Sequence, residues 1–149
     1  MLKKTILIFA LLLIGLSYGL EEYYGHNRES LVTSETRQNI NAVIDGIKAN
    51  QIVETFDEWY HQDVEMFENG NSDGRKGKAQ NRIVEKNFAD NSVIHDVKVL
   101  KLLVDEEMSS YLMFMNYTKS GENHASSQWG IQYWKDGLII REEFWYSSH

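Results

Sequence analysis

Four long runs fill the second half of the chain: Val93 to Val104, Met108 to Lys119, His124 to Trp134 and Leu138 to Tyr146. The breaks between them are Asp105-Glu106-Glu107, Ser120-Gly121-Glu122-Asn123 and Lys135-Asp136-Gly137. This short, regular spacing is that of an antiparallel meander. The sequence contains no proline, which removes a common breaker of edge strands and lets long strands persist.

The first half reads as helical. Ile40, Val43, Ile44 and Ile47 recur three or four apart. Ser34, followed by Glu35, is placed to cap a helix reaching Lys48. A second helix is predicted from Ile52 to His61, with Val53, Phe56, Trp59 and Tyr60 on one face, and Ala49-Asn50-Gln51 joins the two as an antiparallel pair. Over Trp59 to Gly70 the helical pattern gives way to a strand at Val64 to Glu68, and four ionisable side chains crowd among aromatics there. Asn69 to Gly74 is dense in residues that tolerate positive φ and reads as a loop. A third helix is predicted over Lys78 to Phe88, through Ala79, Ile83, Val84 and Phe88. Three helices, an early strand and a four-strand meander describe an α+β domain whose curved, mainly antiparallel sheet wraps around the helices.

At the front, Lys3 and Lys4 precede the uncharged apolar run Ile6 to Leu16, and Ser17-Tyr18-Gly19 offers small residues for cleavage. This is the pattern of a secretory signal peptide over residues 1–19, too short to span a bilayer comfortably, although Tyr18 to Leu20 would extend it into a retained anchor. Residues 20–33 read as a flexible leader and 34–149 as the domain. Cleavage near Gly19 implies a secreted or periplasmic product without a stable membrane partner. It removes two lysines and no acid, moving the formal charge from −7 to −9. The longest basic cluster is Arg75-Lys76-Gly77-Lys78, so nucleic-acid binding is not expected. With no cysteine, the chain can form neither disulfides nor thiolate metal sites, and its stability must come from a packed core.

The order of elements, the Trp59-Tyr60-His61-Gln62-Asp63 helix exit, the glycine loop into Gly77-Lys78 and the closing turn Trp134-Lys135-Asp136-Gly137-Leu138-Ile139 together resemble the SnoaL-like branch of the nuclear transport factor 2-like superfamily. The resemblance covers about residues 35 to 146. It implies a cone-shaped fold with a largely apolar cavity for a small organic molecule. Some members use that cavity for isomerase, dehydratase or cyclase chemistry without a cofactor, and others only for binding, so fold alone does not choose between them. It also implies pairing of two copies through the exposed face of the meander, where Trp145 and Ile139 suit a homodimer surface.

Counting five residues on from Asp63, the resemblance puts the general-base carboxylate of the ketosteroid isomerase branch at Glu68, where burial among Trp59, Met66 and Phe67 is expected to raise its pKa. The two oxyanion donors of that branch fall on Val43 or Ile44 and on Trp129, which argues against steroid isomerisation. Period-two counting from Gly137 puts Ile140, Glu142, Phe144 and Tyr146 on one sheet face, which the resemblance turns toward the cavity, making Glu142 a second candidate acid or base. His61 is a candidate proton carrier, or alternatively a partner of the helix dipole, and Asp63 shapes the turn. The expected cavity lining is Trp59, Met66, Trp129, Ile131, Ile140, Phe144 and Tyr146. His95-Asp96 and His124 are separate in sequence and show no ligand spacing, so neither a metal nor a cofactor is expected.

Overall fold

The structure, a computed structural model, describes residue 33 and residues 35–146. The expected signal peptide, nearly all of the leader and the Ser34 cap lie outside the described residues. Helix α1 covers residues 35–48 and buries Ile40, Val43 and Ile44. It ends in a turn at Asn50, whose φ of 59° is left-handed, and the N–H groups of Ala49, Asn50 and Gln51 donate back to the carbonyls of Asp45, Ile47 and Gly46. A Cβ on Gly46 would stand 2.0 Å from Thr55 Oγ1, so this glycine sets how closely α1 approaches the next helix.

Helix α2 (Ile52–Trp59) stops two residues short of the expected His61. Tyr60 is already extended, with φ −107° and ψ 136°. Lys78 Nζ donates to the carbonyls of Asp57 and Tyr60, both over 2.7 Å, which satisfies acceptors left free at the helix end. Strand β1 (Tyr60–Glu68) therefore follows the helix without a turn, and Asp63, expected to shape that turn, lies exposed within the strand.

A two-residue strand β2 (Arg75–Lys76), not signalled by the sequence, pairs antiparallel with β1. Helix α3 (Lys78–Asn91) is longer than predicted and turns a different face inward. Ala79, Ile83 and Val84 are exposed, Ile83 at 71%, whereas Asn81 is fully buried. Asn81 holds that position because its amide ties together backbone from three elements. Its Nδ2 donates to the carbonyls of Gly77, Arg75 and Val64 over 3.0, 3.2 and 3.4 Å.

The meander forms as expected: β3 (Ser92–Val104), β4 (Met108–Lys119), β5 (Glu122–Lys135) and β6 (Leu138–Tyr146), paired antiparallel in sequence order. The six strands lie in the order β2-β1-β6-β5-β4-β3. Only β1 and β6 pair parallel, bringing the opening and closing strands side by side. Trp134 faces Ile139 and Tyr133 faces Arg141, which leaves Ile140 as the extra residue of a bulge. Both Ile139 and Glu142 are consequently buried, so Ile139 belongs to the core and not to the exposed pairing face expected for it. The helices close over the inner sheet face around Phe56, Val64, Tyr111, Met113 and Trp134.

Candidate functional site

The core leaves a cavity of about 410 Å³ between the helices and the inner face of the sheet. Ile47, Ile52 and Phe56 form its helical wall, and Met66, Tyr111, Met115 and Phe144 its sheet wall. Glu68, Arg75, Glu85, Ser126 and Gln128 add polar groups to the same lining.

Tyr60 stacks on Phe56 with ring centroids 4.4 Å apart and lines the cavity while its hydroxyl reaches behind the wall. There it donates to Glu142 Oε2 over 2.7 Å. Glu142 is 1% exposed, and its other oxygen accepts from Gln132 Nε2 at 2.8 Å. The chain continues inward, with Trp134 Nε1 donating to Ser109 Oγ and Ser109 Oγ donating to Gln132 Oε1, each at 2.9 Å. An indole N–H can only donate, so Ser109 must pass its proton to Gln132, and Gln132 must turn its amide hydrogens to Glu142. Burial drives the Glu142 carboxyl up to about 7, against the pull of its two donors and with the nearby Glu85 adding to the rise. When Glu142 is protonated, the proton belongs on Oε2, facing Tyr60.

Glu68 lies on the cavity wall two positions along β1 from Met66, the partner of Glu142 in the parallel ladder. Its Oε1 accepts from Arg75 over 2.6 Å and its Oε2 from the Tyr146 hydroxyl over 2.5 Å. Partial burial opposes ionisation of Glu68, but these two bonds outweigh it and hold the carboxyl below its usual range. Arg75 is itself oriented through Nε by Asn81 Oδ1 at 3.1 Å. Glu85, half-buried on α3, also lines the cavity, and no hydrogen bond or ion pair joins it to another described residue. Burial drives its pKa up to about 7, with Arg75 opposing the rise and Glu68 adding to it.

No protein-family model and no curated protein sequence matches the chain. Solved structures do. A protein from Mesorhizobium loti described as a SnoaL-like polyketide cyclase superposes with a TM-score of 0.63 at 18% identity, over 74% of this chain and 97% of that one. An LEH-like epoxide hydrolase of M. tuberculosis gives 0.65 at 15% identity, over 77% and 84%. An NTF-2 like protein of unknown function from Burkholderia xenovorans gives 0.63 at 11% identity, over 78% and 85%. The chain has the nuclear transport factor 2-like fold.

Within that fold, the sequence-based candidates separate into those that meet at the cavity and those that do not. Met66, Glu68, Phe144 and Tyr146 line it, and Glu142 touches it through Tyr60. Trp129 and Ile131 do not, because the inward residues of β5 are Gln128, Gly130 and Gln132 and the odd positions face the other side. Ile140 is displaced by the bulge into a groove at the opposite end of the sheet, beside Trp134 and Met108. Trp59 packs against the core, and Tyr60 occupies the cavity-facing place next to it. His61 is neither in a helix nor on the cavity; it lies on β1 and accepts from the Asp63 N–H at 3.1 Å. Glu68, expected to have a raised pKa, has a lowered one, because Arg75 arrives on a strand that periodicity does not reveal.

Two cavity positions escape sequence reading. Tyr60 looks like one more apolar residue of the α2 face, and only the early end of that helix turns its hydroxyl onto Glu142. Glu85 falls on the inward stripe that Asn81 defines, and that stripe is invisible to a search for apolar spacing. Among the described residues no group of His, Asp and Glu gathers as a metal site.

Proposed function

We propose that this is an exported protein that binds a small, mainly apolar organic molecule in its cone and exchanges a proton with it through Tyr60 and Glu142, without a cofactor. The observation that carries this reading is Tyr60, whose side chain lines the cavity and whose hydroxyl is bonded behind the wall to a buried carboxyl that titrates near neutral pH. With Glu142 ionised, Tyr60 donates inward and its oxygen offers a lone pair to the ligand. With Glu142 protonated, the carboxyl donates to the phenol oxygen and the Tyr60 O–H turns to the cavity. A proton taken from the ligand by Tyr60 is matched by the Tyr60 proton moving to Glu142. This suits isomerase, dehydratase or cyclase-type steps. Glu68, tied to Arg75, serves as a fixed counter-ion rather than a base.

Native mass spectrometry of the protein isolated from its own compartment tests both halves. A retained small molecule and a mass lacking residues 1–19 are expected. Conversion of that molecule should fail in Tyr60→Phe and Glu142→Gln while retention persists. An empty protein defeats the binding reading, and unchanged turnover in Tyr60→Phe removes the pair from the chemistry.

A second reading, pairing of two copies without catalysis, is favoured by the outer sheet face. Leu103, Met108 and Trp145 are 63, 40 and 44% exposed there, alongside Trp129. Sedimentation of Trp145→Glu against the unaltered protein tests it. A dimer dissociated by the charge supports pairing, and an unaltered protein that sediments as a monomer excludes it.

A further inference from the structure

We propose that the molecule selected by the cavity is a small organic cation, an amine carrying an apolar or aromatic substituent, with its nitrogen paired to the Glu85 carboxylate. This deepens the reading above and rests on the cavity being a ligand site.

The charges on the cavity wall lead to Glu85. Glu68 and Arg75 neutralise each other at 2.6 Å, and Tyr146 spends its proton on Glu68. Lys119, exposed at the end of β4, holds its ammonium 5.8 Å from the Phe88 ring centre. Of the charged side chains on the wall, only Lys119 and Glu85 have neither an ion pair nor a hydrogen bond with another described residue, and of the two Glu85 is the one that is partly buried. A carboxylate is costly there until a cation or strong donor joins it, so its unspent acceptor capacity describes the ligand.

The remaining wall describes it again. Phe56, Tyr60, Phe88, Tyr111 and Phe144 border the same cavity. The negative faces of such rings attract an organic ammonium, and their apolar area suits its substituent. An anion would meet Glu85 on one side and Glu142 behind Tyr60 on the other, within a chain of net charge −7. A neutral apolar molecule would suit the rings and leave Glu85 unpaired. The raised pKa of Glu85 agrees with this picture, since an arriving ammonium would restore to its carboxyl the ionisation that burial suppresses.

Benzylamine, benzyl alcohol and benzoate differ mainly in the charge presented beside the same ring, and calorimetry at about pH 8 with these three probes decides the matter. Benzylamine should bind at least about tenfold more tightly than benzyl alcohol, the factor of one charge-assisted hydrogen bond, and benzoate more weakly than either. Glu85→Gln should lower benzylamine to the level of the alcohol and leave the alcohol unchanged. Glu54→Gln removes the same charge from an exposed site on α2 and should preserve the preference. Unaltered melting of Glu85→Gln will show that the fold survives. Equal binding of amine and alcohol, or a preference that persists in Glu85→Gln, overturns the proposal while the cavity remains a ligand site. Failure of all three probes to bind overturns both readings.

Discussion

Tyr60 and Glu142 are 82 residues apart in the chain and 2.7 Å apart across the parallel pairing of β1 and β6. Removing the phenol hydroxyl leaves Glu142 Oε2 without its donor in a fully buried place. Tyr60→Phe should therefore destabilise the fold by about 1–3 kcal/mol and push the Glu142 pKa higher. Urea unfolding gives the first quantity and carboxyl-carbon NMR titration the second.

Stability should fall as pH rises from about 4.5 to 7. Glu142 titrates at about 7 in the folded chain against an ordinary 4.5, so the folded state holds the extra proton in that window and loses the advantage above it. The shift corresponds to roughly 3 kcal/mol, and Glu85 contributes in the same direction. Glu68 and Asp57 have lowered values and act oppositely, withdrawing stability as the pH drops below 4.5 for Glu68 and below 3.8 for Asp57. Melting temperature should accordingly peak just above pH 4.5. In Glu142→Gln the decline toward neutral pH should flatten, and an unchanged slope would contradict the assignment.

Asn81 joins α3, β1 and β2 through three donated bonds and one accepted from Arg75. Asn81→Ala removes these side-chain bonds from a fully buried place and should cost about 1–3 kcal/mol. It should also loosen Arg75, so the Glu68 pKa should rise in the same variant, a change that simple loss of packing would not produce.

Gly46 tests the contact between the first two helices. Gly46→Ala drives a methyl into Thr55 Oγ1 and should destabilise by about 1–3 kcal/mol despite alanine's better helix propensity. Adding Thr55→Ala should recover much of that loss, and thermal melts of the single and double variants measure the coupling.

The architecture was readable because its signals are local. Two meander strands, Met108–Lys119 and Leu138–Tyr146, begin and end where the turn residues place them, and the other two are off by one or two residues at their ends. Met66, Phe144 and Tyr146 reach the cavity by the alternation rule. The remainder of the site depends on facts that periodicity cannot carry. Trp129 is expected inward because the resemblance puts a donor position there, and Ile131 is expected beside it, yet the inner face of β5 uses Gln128, Gly130 and Gln132. Gly130 is required there because a Cβ would stand 2.5 Å from the Tyr111 ring, and Gln132 because it must relay a proton donor to Glu142. His61 and Tyr60 exchanged importance when α2 ended two residues early, a boundary set by Lys78 reaching back from another helix.

The unpaired Ile140 has one more consequence. In a strand that alternates without interruption, positions 139 and 142 fall on opposite sides, so either the isoleucine or the glutamate would be delivered to water. A single surplus residue lets nine amino acids serve as both the plug at one end and the wall of the chamber at the other. Swapping side chains on the near side of that step should alter how firmly the shell closes, while swaps beyond it should alter what the shell admits.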